Sequence, residues 1–238
     1  MPYRLDEHAS SQSMLVDIAR GHFTNVTPVN LFGFNRDIGT TYETIFNDGG
    51  GAYSFPSSAL QMSLVSSDAA DTMGVTLIGL DASYNQLIET VTLSGLTPVT
   101  TTNNFLRINQ AVITAGNNVG NITISNGGTT YAYIEAGLGV HQTAVYSVPA
   151  NCKLYITSVA FSSGTVNPNK YLFGRAVTHK EGRTLRFWES TWAVGFMQFS
   201  VPVPFVVEEK TDFQIQAKSS SSENEIGCYI NGYLIEDE

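Results

Sequence analysis

From about Ala59 to its end, the chain is a succession of short runs of Val, Ile, Leu, Thr, Tyr and Phe, broken by Gly, Asn and Ser turns. Runs of this kind, rich in β-branched and aromatic residues and bounded by turn formers, read as strands. No block of helical period separates them, so βαβ units and the dinucleotide folds built from such units are excluded. The pattern predicts an all-β protein.

A first β region is expected over residues 59–136. Leu60-Gln-Met-Ser-Leu-Val65 and Val75-Thr-Leu-Ile78 alternate, and Leu87-Ile-Glu-Thr-Val-Thr-Leu93 interleaves polar with apolar positions in the manner of a hairpin. The stretch from Phe105 to Ile113 reads as one strand with a solvated face, and Asn126-Gly127 as a tight turn. Gly137-Leu-Gly139 then opens a second region, residues 137–238. Its strands at 143–148, 154–161, 171–178, 184–192, 196–201, 213–217 and 226–235 predict a C-terminal jelly-roll-like β-sandwich. Pro149, Pro202 and Pro204 belong at strand ends or edges, because each lacks a ladder donor.

Residues 1–58 show no clean period. Ser13 can cap one short helix through Asp17 and Ala19; the rest is Gly- and aromatic-rich, with Phe32-Gly-Phe-Asn35 at its centre. A long structureless segment inside a compact domain is unusual. The segment is therefore expected to be an N-terminal extended arm and irregular connection, tethered to a neighbouring subunit, with Phe32 and Phe34 as contact residues.

Only 14% of residues are charged, against about a quarter in an average protein. Thr, Ser, Asn and Gly take up the difference, and such neutral polar faces lose less on burial against another subunit than charged ones do. The net charge is −9. That argues against a nucleic-acid partner, which needs a basic stripe to neutralise phosphates. No apolar run approaches the length of a membrane span and no secretory apolar core follows Met1, so the chain is expected to be soluble and made in the cytosol. Arg4, Arg20, Arg36 and Arg107 are the only basic residues before Lys153, leaving Lys and Arg unevenly distributed.

Chemical constellations are weak throughout. Asp68, Asp71, Asp81 and Asn85 offer hard oxygen ligands on turns, the kind calcium takes, but turn chemistry uses the same residues more often. His8, His22, His141 and His179 form no ligand pair, so no cofactor and no metal is expected. No nucleophile elbow or catalytic cysteine signature occurs, and Glu208-Glu209, or Glu181 with Glu189, are better explained as solvated carboxylates than as a glycosidase pair. Cys152 and Cys228 lie in strand patterns and are expected as buried free thiols, with a disulfide as the open alternative.

Two surface features are left as contact candidates. His179, Lys180, Arg183 and Arg186 surround a hairpin tip; a solvated loop is the commoner use of such a tip, and a grip on an acidic neighbour or a carbohydrate the alternative. Trp188 and Trp192, with Phe196 and Phe199, give an aromatic strand pair. Sandwich core is the commonest use of such a pair, a subunit interface the second and a sugar-stacking platform the third.

Several phrases together carry a family resemblance: Asn30-Leu-Phe-Gly-Phe-Asn35, Glu43-Thr-Ile-Phe46 with Asn47-Asp-Gly-Gly50, Phe55-Pro56, Val65-Ser-Ser-Asp-Ala-Ala-Asp71, Gly79-Leu-Asp-Ala82 and Glu89-Thr-Val-Thr-Leu-Ser-Gly95. Val148-Pro-Ala-Asn-Cys-Lys-Leu-Tyr-Ile-Thr-Ser158 and Tyr229-Ile-Asn-Gly-Tyr-Leu-Ile235 complete the set. They resemble a family of virion structural proteins from tailed bacteriophages of the marine type. The resemblance implies a non-enzymatic component of the virion, made in the host cytoplasm. It would assemble as a homo-oligomer with other virion proteins, as capsid decoration or as part of the tail or neck. The alternative is a host-surface carbohydrate- or receptor-binding module of the particle. Neither reading involves nucleic acid or membrane.

Overall fold

The computed structural model describes residues 11–48, 51–164, 171–193, 195–221 and 224–237. Helix α1 (Ser11–Ala19) is followed by β1 (Val26–Ile38) and the two-residue β2 (Glu43–Thr44). Then come β3 (Leu60–Ser66), β4 (Gly74–Leu80), β5 (Gln86–Thr92), β6 (Val99–Phe105), β7 (Arg107–Ile113), β8 (Ile122–Asn126) and β9 (Thr129–Ile134). The remainder is β10 (Val145–Ser147), β11 (Cys152–Ser163), β12 (Tyr171–Lys180), β13 (Arg183–Ala193), β14 (Phe196–Val207), β15 (Asp212–Ser219) and β16 (Asn224–Glu236). The all-β expectation is met.

The strands make two antiparallel sandwiches, one inserted into the other. In the smaller, β6-β3-β8-β9 faces β5-β4-β7. Met62, Leu64, Leu77, Phe105, Ile122 and Ile124 are sealed between them. In β4 the inward residues recur at every second position, as Val75 and Leu77 do, so one face of that strand is dry. The sequence reading of one strand from Phe105 to Ile113 is corrected here. Phe105 ends β6 in one sheet and Arg107 begins β7 in the other, and the corner between them is pinned by the Leu106 amide donating to the Leu80 carbonyl at 2.8 Å. The tight turn between β8 and β9 also differs by one residue. Gly127 and Gly128 occupy it, at φ 57° and 84°, with Asn126 paired to Thr129. Positive φ at both central positions is what a two-residue hairpin loop requires.

The larger sandwich is discontinuous in sequence. One sheet runs β1-β16-β11-β14 and the other β10-β15-β12-β13, with β2 also pairing with β15. Phe161, Phe213, Ile215, Ile226, Cys228 and Leu154 fill the space between them. Strand β1 pairs with β16 from Val26↔Ile235 to Ile38↔Asn224. This corrects the N-terminal arm: residues 26–44 complete the C-terminal sandwich of their own chain. Residues 1–10 of the expected arm lie outside the described residues. The strand went unrecognised because β1 is an edge strand containing Pro28, Gly33 and five polar residues. Edges tolerate Pro, and Gly33 is needed because a Cβ there would lie 2.6 Å from the Ala144 nitrogen and 2.7 Å from the Ile45 carbonyl oxygen.

Candidate contact surfaces and the joint between the sandwiches

The outer face of the β1-β16-β11-β14 sheet follows directly from strand register. Phe32 sits opposite Tyr229, Tyr229 opposite Ala160, and Ala160 opposite Gln198; one row along, Asn30, Asn231, Ser158 and Ser200 align. On the other side come Phe34, Gly227, Ser162 and Phe196. These three rows hold no charged residue. Phe32, Tyr229 and Phe196 are 46%, 42% and 68% exposed, well above what large aromatics in a dry layer show. Phe34 is half-buried, with the Arg36 guanidinium 5.2 Å over its ring. Of the contact residues expected from sequence, Phe32 and Phe34 are therefore together on one open, neutral face, although they reach it as a strand rather than as an arm.

The tryptophans go elsewhere. Trp192 is buried in the core, 4.8 Å from Phe161 between ring centroids, and Trp188 stacks on the same Phe161 at 5.7 Å and 12°. Phe199 meets Trp188 edge-on at 4.8 Å. This corrects Trp188 and Trp192 as ligand contacts. Trp192 has no open ring face, and Trp188 spends its face on the core, the commonest use of such a pair.

His179, Lys180, Arg183 and Arg186 do flank a hairpin tip. Lys180 pairs with Arg183 around Glu181 and Gly182, both at positive φ. The two arginines are exposed, Lys180 is half-buried, and none of the three is ion-paired among the described residues. His179 is different, because it is committed inward. The Tyr53 amide donates to the Thr44 hydroxyl at 2.7 Å, and Thr44 donates to Gln214 Oε1 at 2.6 Å. Gln214 Nε2 then donates to His179 Nε2 at 2.8 Å, which fixes the tautomer that donates from Nδ1 to Thr184 at 2.9 Å. Burial lowers the pKa of His179, and the neutral ring is the form this chain of bonds needs.

The joint between the sandwiches holds the densest polar cluster, and sequence reading missed it. Arg107 on β7 of the inserted sandwich meets Asp212 on β15 of the larger one, Nε to Oδ1 and Nη2 to Oδ2, both at 2.7 Å. Its remaining donors reach the carbonyls of Pro56 and Leu106 and the Tyr84 hydroxyl, and its guanidinium lies 5.2 Å over Phe55. Ser147 donates to Asp212 Oδ1 at 2.6 Å, and Asn109 exchanges two hydrogen bonds with the Ser147 backbone. Burial opposes the Arg107 charge, but the hydrogen bond and charge of Asp212 outweigh it and raise its pKa. The satisfied guanidinium makes this a rigid two-point clamp. Arg36 on β1 adds an exposed bridge to Glu135 at 2.7 Å. Two of the four arginines that precede the first lysine thus cross the joint.

The acidic turn residues bind backbone. Asp71 is fully buried and accepts from Ser66 and from the amides of Val119 and Gly120; Asp81 accepts from the amides of Ser83 and Asn85. These bonds lower the pKa of both carboxyls against the opposing effect of burial, which is the signature of turn chemistry. Among the described residues no group of three or more His, Cys, Asp and Glu is placed to hold a metal ion. Cys152 and Cys228 are buried and unpaired with each other. No helix among the described residues is long and apolar enough to cross a membrane.

The chain matches no protein-family model and no curated protein. Among solved structures it is similar to the infectious bursal disease virus VP2 subviral particle, at 9% identity and a TM-score of 0.21, over 89% of this chain and 75% of that one. A likeness of that size supports no statement about fold or function.

Proposed function

We propose that this chain is a non-enzymatic structural component of a tailed-phage virion, acting as capsid decoration or as part of the tail or neck, and assembling through contacts with copies of itself and with other virion proteins. The observation that carries the reading is the neutral outer face bearing Phe32, Tyr229 and Phe196. Copies with a net charge of −9 repel one another at long range, so close approach is least costly where no like charge must be desolvated. The strand order of the larger sandwich, read as a jelly roll with a second sandwich inserted after β2, is an architecture used in capsid shells and in lectins. Fold alone does not fix function, and the sequence resemblance to phage virion proteins is what turns the reading toward a particle.

The clamp at Arg107 and Asp212 supports the same reading, because a building block repeated in a lattice gains from a fixed angle between its two halves. The particle role is tested by quantitative mass spectrometry of purified particles. Copy numbers on the order of hundreds fit decoration and about a dozen or fewer fit tail or neck; absence from the particle refutes the role.

A host-glycan role has one observation in its favour. Asn30, Asn231 and Gln198 interleave with Phe32 and Tyr229 on the open face, and aromatic rings beside amides are the usual chemistry of neutral sugar recognition. Glycan-array binding lost on Phe32→Ala would support it.

A further inference from the structure

Strand β1 is an edge, and its outward backbone is identifiable from register. The Glu236 amide donates to the Asn25 carbonyl at 2.9 Å, which makes that pair hydrogen-bonded. In an antiparallel ladder such pairs alternate with pairs whose polar groups point away. Given the register Val26↔Ile235, the outward set is Val26, Pro28, Asn30 and Phe32. Pro28, which has no N–H to give, sits in that set, where the sheet loses nothing by its presence. The N–H and C=O groups of Asn30 and Phe32 have no backbone partner among the described residues. The same register carries on to Phe34, while residues 45 and 144 lie over the inner face of the sheet at Gly33.

The open stretch lies inside a groove. A cleft of about 370 Å³ runs between residues 27–32 of β1 and the outer face of the inserted sandwich, floored by Ile78, Leu80, Gln86 and Gln110. A second cavity of about 300 Å³ continues it past Asn25 to Asn151 and shares Thr27, Gln86, Pro149 and Leu234 with the first. The larger cleft has no Asp, Glu, Lys or Arg in its lining. The side-chain amides of Gln86, Gln110 and Gln142 point no hydrogen bond at another described residue.

We propose that this groove accepts an extended, uncharged peptide segment of another protein chain as an added β-strand on β1. Exposed edge groups are a template for such pairing. Six residues of β1 span roughly 20 Å at about 3.3 Å each, enough to register a segment of similar length. The neutral lining sets the chemistry of the occupant: a charged side chain at its centre would be desolvated without a partner. Uncommitted carboxamides on the opposite wall suit its second row of backbone groups. The proposal rests on the edge and the groove and holds whether or not the chain belongs to a virion.

The test selects random ten-residue peptides displayed on a carrier against the immobilised full-length chain. A synthetic copy of an enriched peptide is then methylated on its backbone nitrogens one at a time. Strand addition predicts enriched peptides without central charges, and a tenfold or greater loss of affinity at every second methylation site, with smaller losses at the sites between. Asn30→Pro removes one outward donor in the register where Pro28 is already accommodated, and is expected to weaken binding at least tenfold with an unchanged unfolding midpoint. Should that variant misfold, Gln110→Glu on the opposite wall is expected to weaken binding likewise. Failure to enrich any peptide, methylation effects without a two-residue period, or full-affinity binding to a correctly folded Asn30→Pro or Gln110→Glu variant would overturn the proposal. Displacement of the peptide by a neutral oligosaccharide with methylation-insensitive binding would overturn it as well.

Discussion

Arg107 and Asp212 meet in a two-point ion pair across the joint between two sandwiches, 105 residues apart in sequence, with both N–O distances at 2.7 Å. Both side chains are more than nine-tenths shielded from solvent. The densest set of contacts across the joint converges there: Ser147 on the carboxylate, Tyr84 and Pro56 on the guanidinium, and Phe55 beneath it.

Removing one partner leaves a buried charge uncompensated, which costs about 3–5 kcal/mol. Asp212→Asn or Arg107→Ala should therefore lower the midpoint of chemical unfolding strongly. Arg36→Ala, which breaks an exposed pair, should cost less than about 1 kcal/mol. Equilibrium denaturation of the three variants checks the contrast, and equal effects would show that the joint is not where stability is concentrated.

His141 lies in the segment linking the two sandwiches, buried, edge-on to Phe46, with neither ring nitrogen hydrogen-bonded among the described residues. Burial pushes its pKa down from 6.5 to about 3. A folded-state pKa below the unfolded one means that the unfolded chain binds the proton first. Stability is therefore retained above pH 6.5 and lost progressively as pH falls toward 3, by about 2 kcal/mol at pH 5. Unfolding midpoints measured from pH 7 to pH 5 should fall in the wild type and fall distinctly less in His141→Phe, where His179, its pKa also lowered by burial, supplies the remaining slope. Parallel slopes would remove His141 as the cause.

Gly33 is held by contact rather than by a turn. Gly33→Ala drives a methyl group between the backbones of Ile45 and Ala144 and is expected to cost about 1–3 kcal/mol. Gly128→Ala meets open space and is strained only by its φ of 84°. Thermal melts should rank Gly33→Ala as the worse of the two.

Much of this was legible in the sequence, and the exceptions have physical reasons. Strands β3, β4 and β11 announce themselves because a buried face alternates with a less buried one, and β12 to β16 because their β-branched and aromatic runs are bounded by turn formers. Strand β6, Val-Thr-Thr-Thr-Asn-Asn-Phe, buries only Thr101 and Phe105, so its period is carried by two residues. Strand β1 hides behind Pro28 and Gly33, and its partner lies some 200 residues away, where no local pattern reaches. Phe32 and Phe34 stand out in the sequence as the centre of a Gly- and aromatic-rich stretch without a clean period, which reads as a tethered arm. The Arg107–Asp212 pair was out of reach, since nothing in either local segment separates a clamp from a surface charge. The one available signal was the scarcity of basic residues before Lys153, which made each arginine there worth asking about.

The claim at the centre of the account is that this protein works by presenting the neutral face around Phe32 and Tyr229 to copies of itself. Sedimentation velocity over a concentration series, for the wild type and for a Phe32→Asp, Phe196→Asp double variant, tests it most directly. Both positions are exposed, so the variant should fold with a midpoint close to that of the wild type. The account predicts a concentration-dependent oligomer for the wild type and a monomer for the variant. A monomeric wild type at every concentration, or a variant that associates as the wild type does, would contradict it.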